Sequence, residues 1–203
     1  MGKLFTIGYS GQDIQNFVAL LLANAVNVVC DVRSTPYSTY KPDFSRRPLK
    51  SNLNDAGIKY TFLGDELGAR PKDRSCYDNG QATYDRIANS DFFKSGLARV
   101  KKGSKMMNLA LMCSERDPIE CHRAILVCRN LNDIRDRIAH IHGDGSVEDQ
   151  QKFDARLVEF YRLTPPPLLE QSGDWELAVA TAYQKQGESI AFQERYPAHS
   201  KDD

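Results

Sequence analysis

The order of apolar and polar stretches predicts an α/β protein: a single open, mostly parallel sheet of about five strands with helices on both faces, plus a C-terminal helical appendage. Three observations carry this expectation. Short apolar runs alternate with stretches of helical periodicity from the first residues to about residue 142. One of those runs, Asn27-Val-Val-Cys-Asp-Val32, is continuously apolar until its end, as in a strand covered on both faces. A third, Leu109-Ala-Leu-Met-Cys113, breaks into a polar loop and then into Cys121-His-Arg123, which reads as a strand feeding a helix at the carboxyl edge of a sheet.

Taken in order, Leu4 to Gly8 predicts a strand closed by Gly8-Tyr-Ser-Gly11. Asp13 to Ala23 then carries Ile14, Phe17, Val18, Leu21 and Leu22 at helical spacing. The second strand, 27–32, ends in Asp31-Val-Arg33 and Ser34-Thr-Pro-Tyr-Ser38. Arg46 to Ala56 predicts a helix with Leu49 and Leu53 inward, closed by Gly57, before a third strand at Ile58 to Leu63. Asp65 to Asn79 is a long polar loop, of the kind that often forms lids or binding loops. Tyr84 to Val100 predicts one or two helices, broken near Asn89-Ser-Asp91. Asn108 to Cys113 is the fourth strand, Pro118 to Leu131 the helix after it, and Arg137 to His142 the fifth strand, turned by Gly143-Asp-Gly145. These elements define a domain over 1–163. Residues 164–203 form a tail in which Thr164-Pro-Pro-Pro167 is a stiff linker, Trp175 to Phe192 a helix, and Pro197 to Asp203 a frayed end. That helix is expected to pack on the main domain or to mediate self-association into a homo-oligomer.

The 203 residues suit one principal core. Lysine plus arginine and aspartate plus glutamate balance at 27 each, so no global field draws the chain to nucleic acid or an anionic membrane, although a local basic patch would suffice. No run approaches the roughly 18 apolar residues of a membrane helix, and the N-terminal apolar run is too short for a signal peptide. The five cysteines are an odd set, with Cys30 and Cys128 inside apolar runs, which argues against a disulfide framework and for a reducing, cytoplasmic setting.

If the sheet is parallel, its carboxyl edge gathers Gly8-Tyr9-Ser10, Asp31 with Arg33, Gly64, and Cys113-Ser114-Glu115, and the following helix adds Cys121, His122 and Arg123. An anion is the simplest ligand for that edge, because guanidinium forks match phosphate and carboxylate. Arg33 and Arg123 are expected to hold it, with Tyr9, Ser10, Cys113 and Ser114 lining the substrate site. Asp31 and Glu115 are the candidates for orientation or acid–base work, and Cys121 with His122 for reactive groups.

These residues also carry a resemblance. Thr6-Ile-Gly-Tyr-Ser10, Asp31-Val-Arg33 with Pro36 and Ser38, Gly57-Ile-Lys-Tyr60, Leu63-Gly64, Leu67-Gly68, Ala110-Leu-Met-Cys-Ser-Glu115 and Cys121-His-Arg123 together resemble the DUF488 family of uncharacterised bacterial and archaeal proteins. The resemblance spans about Leu4 to His142, and Ala69 stands where family members often have a second glycine. It implies an α/β domain with a polar cleft and brings no assigned activity and no cofactor.

Cys113 and Cys121 admit three readings. One is a thiolate nucleophile near a helix N-terminus and two arginines. Another is a pair of metal ligands with His122, joined by His140 or His142, which alternate on one strand face; the Cys-x7-Cys spacing is not a familiar zinc pattern, so no metal set is assigned. The last is a pair of core or substrate-lining thiols. The function expected is therefore an enzyme binding an anionic, nucleotide-like or nucleic-acid substrate. The alternatives are a non-catalytic ligand-binding or regulatory module and a Cys/His metalloprotein.

Overall fold

The computed structural model describes residues 2–163 and 173–194, so the proline linker at 164–167 and the end from Pro197 lie outside the described residues. The chain runs β1 (Leu4–Gly8), α1 (Ile14–Ala23), β2 (Val28–Asp31), α2 (Arg46–Asp55), β3 (Lys59–Phe62), α3 (Gly64–Leu67) and the small hairpin β4 (Tyr77–Asp78) and β5 (Gln81–Ala82). It continues through α4 (Tyr84–Asn89), α5 (Asp91–Ser104), β6 (Leu109–Cys113), β7 (Ile138–Ile141), β8 (Val147–Asp149), α6 (Gln150–Phe160) and α7 (Asp174–Ile190).

Five strands, in the order β3-β2-β6-β1-β7, are parallel throughout, as the apolar runs predict. A sixth, β8, adds to β7 in the antiparallel sense after the Gly143–Gly145 turn. Its sequence, Val-Glu-Asp, is too short and too polar to show a strand pattern. The polar order of strand ends matters more for function: β2, β6 and β1 lie side by side, so Asp31, Cys113 and Gly8 finish on one edge. Gly8 is required there, since a Cβ at that position would collide with the carbonyl oxygen of Glu115. Only glycine lets the turn after β6 fold back across the end of β1.

Period-two alternation divides the core between the faces. Leu109, Leu111 and Cys113 point to a cluster with Phe93, Leu97 and Val100 of α5, while Ala110 and Met112 point to Phe17 and Leu21 of α1 and Leu49 and Leu53 of α2. Asp13 caps α1 by accepting from the Asn16 N–H, and Ser90 both ends α4 and caps α5, the break that Asn89-Ser-Asp91 suggests. A third cluster joins Phe153, Leu157 and Val158 of α6 to Ala178, Val179 and Ala182 of α7 and to Ile119 and Ile125. The C-terminal helix thus packs on the main body, leaving Trp175 and Leu177 outward. Helix α6 has readable apolar spacing at Phe153, Leu157 and Val158 that the reading above assigns to no element.

One predicted helix is corrected. Residues 118–131 do not form a single α-helix but a 3-10 turn at Pro118–Glu120, a π-helical turn at Arg123–Val127 and a further 3-10 turn at Cys128–Asn130. Cys121 between them is extended, at φ −132° and ψ 134°, and the helical hydrogen-bond ladder cannot pass through it. Proline at the first position starts only the short first turn, capped by the Asp117 carboxylate.

Candidate functional site

At the end of β2, the Asp31 carboxylate is wholly buried and accepts four hydrogen bonds. They come from the Arg33 N–H at 3.2 Å, Arg33 Nε at 2.9 Å, Arg33 Nη2 at 2.6 Å and the Tyr60 hydroxyl at 2.8 Å. Arg33 is itself 4% exposed, lies over the Tyr9 ring, and keeps one buried nitrogen, Nη1, with no hydrogen-bond partner. A buried guanidinium N–H without a partner is costly. Arg33 lines a cavity of about 420 Å³, together with Ser34, Arg70, Ser114, Glu115 and His122.

The turn after β6 builds the other side. Because Cys121 is extended and His122 helical, these adjacent residues aim their side chains at the same point near the end of β6. Cys121 Sγ lies 2.9 Å from Glu115 Oε2, and His122 Nδ1 lies 3.7 Å from Cys113 Sγ and 3.9 Å from Cys121 Sγ. The far nitrogen of the ring, Nε2, donates to the Val32 carbonyl at 3.0 Å, which fixes the ring and turns Nδ1 toward the sulfurs. Cys113, Cys121 and His122 are buried, whereas Glu115 is half-buried and Cys113, Glu115 and His122 all line the cavity.

Electrostatics separates these thiols from the others. Burial pushes Cys30 and Cys128 up to about 12, as for inert core thiols. Burial also opposes ionisation of Cys121, but the hydrogen bond from Cys113 and the Arg123 and His122 charges overcome it and hold that thiol well below its ordinary value. Cys113 moves the opposite way, raised by burial and by Cys121. Glu115 is raised by burial and by the negative charge on Cys121, whose sulfur lies 2.9 Å away. Burial alone would lower His122, and the Cys121 contact reverses that and raises it.

Not every expected site residue joins this arrangement. Arg123 is fully buried and gives its donors to backbone: Nη1 to the Glu115 carbonyl at 2.7 Å and Nη2 to the Arg116 carbonyl at 3.2 Å, with Nε 3.4 Å from Thr6 Oγ1. It holds the loop rather than facing the cavity. The Tyr9 ring stacks on Phe44 at 4.4 Å, and Ser114 Oγ donates to the Tyr9 hydroxyl at 3.2 Å. Ser10 is exposed and contributes its backbone N–H to the Ser114 carbonyl. The histidine pair is elsewhere: His140 is buried 2.9 Å from Thr6 Oγ1 and against Phe153, and His142 pairs with Glu148 at 3.1 Å. β8 turns what would be an edge strand into an interior one.

Ser34, Thr35, Arg70, Tyr84 and Phe192 also line the cavity and were not expected there. The 65–79 segment, expected as one loop, instead starts inside α3 and runs through β4 after a 3-10 turn at Arg74–Cys76; it supplies a wall, since the Arg70 N–H donates to Ser34 Oγ at 3.0 Å and its guanidinium lies 4.4 Å from the Phe192 ring centroid. The glycine-marked, arginine-bearing loop was the signal for Arg70. No local pattern pointed to Phe192.

Fold and site define the class: an open α/β domain that gathers a buried Asp–Arg pair and a thiol–imidazole–carboxylate cluster at the carboxyl edge of a parallel sheet. A family model described as a domain of unknown function, DUF488, matches residues 13–129, more than half of the chain, and the chain belongs to this family. No curated protein and no solved structure matches it.

Proposed function

We propose that this protein is a cytoplasmic enzyme that binds an anionic, nucleotide-like or nucleic-acid substrate in the cavity at the carboxyl ends of the strands. The unpartnered Arg33 Nη1, buried on a residue that lines this cavity, carries the reading. Asp31 holds two nitrogens of the fork and so orients the third, which an anion oxygen satisfies by a charge-assisted hydrogen bond. Exposed Arg70 supplies a second cation at the cavity wall. Glu115, Cys121 and His122, placed beside the bound anion, are the groups that do the chemistry, directly or through an ion that they hold. Five free thiols support the reducing setting, and among the described residues no helix is long and apolar enough to cross a membrane.

Titrating inorganic phosphate, a nucleoside monophosphate and a short oligonucleotide into the protein, followed by calorimetry, tests the reading. At least one binds saturably, and Arg33→Lys, which keeps the charge but loses the fork, weakens that binding at least tenfold while the circular dichroism spectrum is unchanged. Absence of saturable binding, or equal binding by Arg33→Lys, overturns it. Binding without turnover of any hydrolysable derivative favours the rival reading, a ligand-binding module.

A further inference from the structure

We infer that Cys113, Glu115, Cys121 and His122 form a binding site for a borderline-soft divalent cation of the zinc class. The donor atoms of these four residues all lie within 4.8 Å of one another. With metal–sulfur and metal–nitrogen bonds of about 2.3 and 2.0–2.1 Å, a tetrahedral site has sulfur–nitrogen edges of about 3.6 Å. The two observed edges, 3.7 and 3.9 Å, are close to that.

The geometry distinguishes an ion from a simple cysteine–histidine pair. Both sulfurs are nearly equidistant from a single ring nitrogen, as two ligands of one ion would be. A cation at the common point serves both. The Nε2–H bond to the Val32 carbonyl is the outer contact that metal-bound imidazoles generally make, leaving the Nδ1 lone pair inward. The Arg123 N–H, 3.5 Å from Cys121 Sγ, is a second outer contact, on a sulfur ligand. Two thiolates, an imidazole and a carboxylate favour zinc-like ions over magnesium or calcium, which take oxygen ligands. The 2.9 Å Cys121–Glu115 contact is shorter than a ligand edge. On binding, the Cys113 and Cys121 thiol protons leave to solvent as the ion takes their place, and the half-buried carboxylate swings outward by roughly 0.7 Å to reach the tetrahedral spacing.

The site escapes sequence patterns because two ligands are adjacent in the chain and a third is a carboxylate in the intervening loop. It does not rest on the anion reading. It sits beside Arg33 in the same cavity.

The test uses the full chain expressed without added metal and analysed by elemental mass spectrometry. About one zinc ion per chain is expected, and cobalt(II) reconstitution should give an intense thiolate-to-cobalt charge-transfer band with tetrahedral visible absorption. Cys113→Ser and Cys121→Ser should each weaken cobalt affinity at least tenfold, whereas Cys76→Ser, outside the cluster, should not. Should the serine variants fail to fold, alkylation of the unmodified protein decides. Cys113 and Cys121 should react only after chelator is added, and equal reaction rates with and without chelator overturn the proposal. So does a chain that takes up neither zinc nor cobalt, or takes up cobalt without the charge-transfer band. Arg33→Lys should lose anion binding yet keep the cobalt band, so the two proposals fail separately.

Discussion

The end of β2 and the turn after β6 lie side by side in the sheet, and each carries a buried arginine, but the two do different work. Arg33, a residue that lines the cavity, is paired by a carboxylate at two nitrogens and left with a buried third that has no hydrogen-bond partner; Arg123 gives both terminal nitrogens to the carbonyls of its own loop. One keeps a buried donor that the fold does not satisfy, and the other holds the backbone that positions Glu115. Burial and charge alone do not tell the two arginines apart. What separates them is which of their donors the fold has already satisfied.

The sharpest way to break this comparison is Arg123→Met. It removes the donors to the Glu115 and Arg116 carbonyls in a site with no access to water, and a loss of about 3–5 kcal/mol is expected in urea unfolding. A loss below about 1 kcal/mol would mean that Arg123 is not the scaffold.

Arg123 also reaches His140 through Thr6, and burial together with the Arg123 charge lowers His140 to about 3. The unfolded histidine takes a proton near pH 6.5, while the folded one does not until about 3. Stability is therefore full above pH 6.5 and falls as the pH drops toward 3. Between pH 7 and pH 5 the loss is about 2 kcal/mol, and His140→Gln should remove it. Urea midpoints at the two pH values for both proteins measure this; identical pH slopes would contradict it.

A third arginine calibrates the comparison from the exposed side. Arg156 bridges Asp117 and Glu148 at 2.8–3.0 Å and is about one-third exposed. Solvent screening limits it, so Arg156→Gln should cost about 1 kcal/mol or less and lose most of that effect in high salt. A cost matching that of Arg123→Met would erase the distinction between exposed and buried arginines.

The parallel strands were legible because burial on both faces makes each a continuous apolar run, and Asp31 with Arg33 stood out as polar residues where such a run must stop. β8 was not legible, since three residues carry no period, and neither was the break at Cys121, where an extended residue interrupts a stretch of helical pattern. The cluster was visible in composition, as Cys113, Glu115, Cys121 and His122 fall within one short stretch. Its membership was not, because the expected partners His140 and His142 are diverted by Thr6 and Glu148. Arg33 and Arg123 look alike in sequence because the carbonyls that satisfy one of them are fixed only by the turn after β6.

The central claim is that Arg33 Nη1 is a ligand-facing donor. Crystals grown free of oxyanions and soaked briefly in tungstate would test it by anomalous scattering. The prediction is a tungsten peak in the cavity, with an oxygen within hydrogen-bond distance of Arg33 Nη1. Tungsten bound only to surface residues outside the cavity, with that nitrogen still unpartnered, would contradict it.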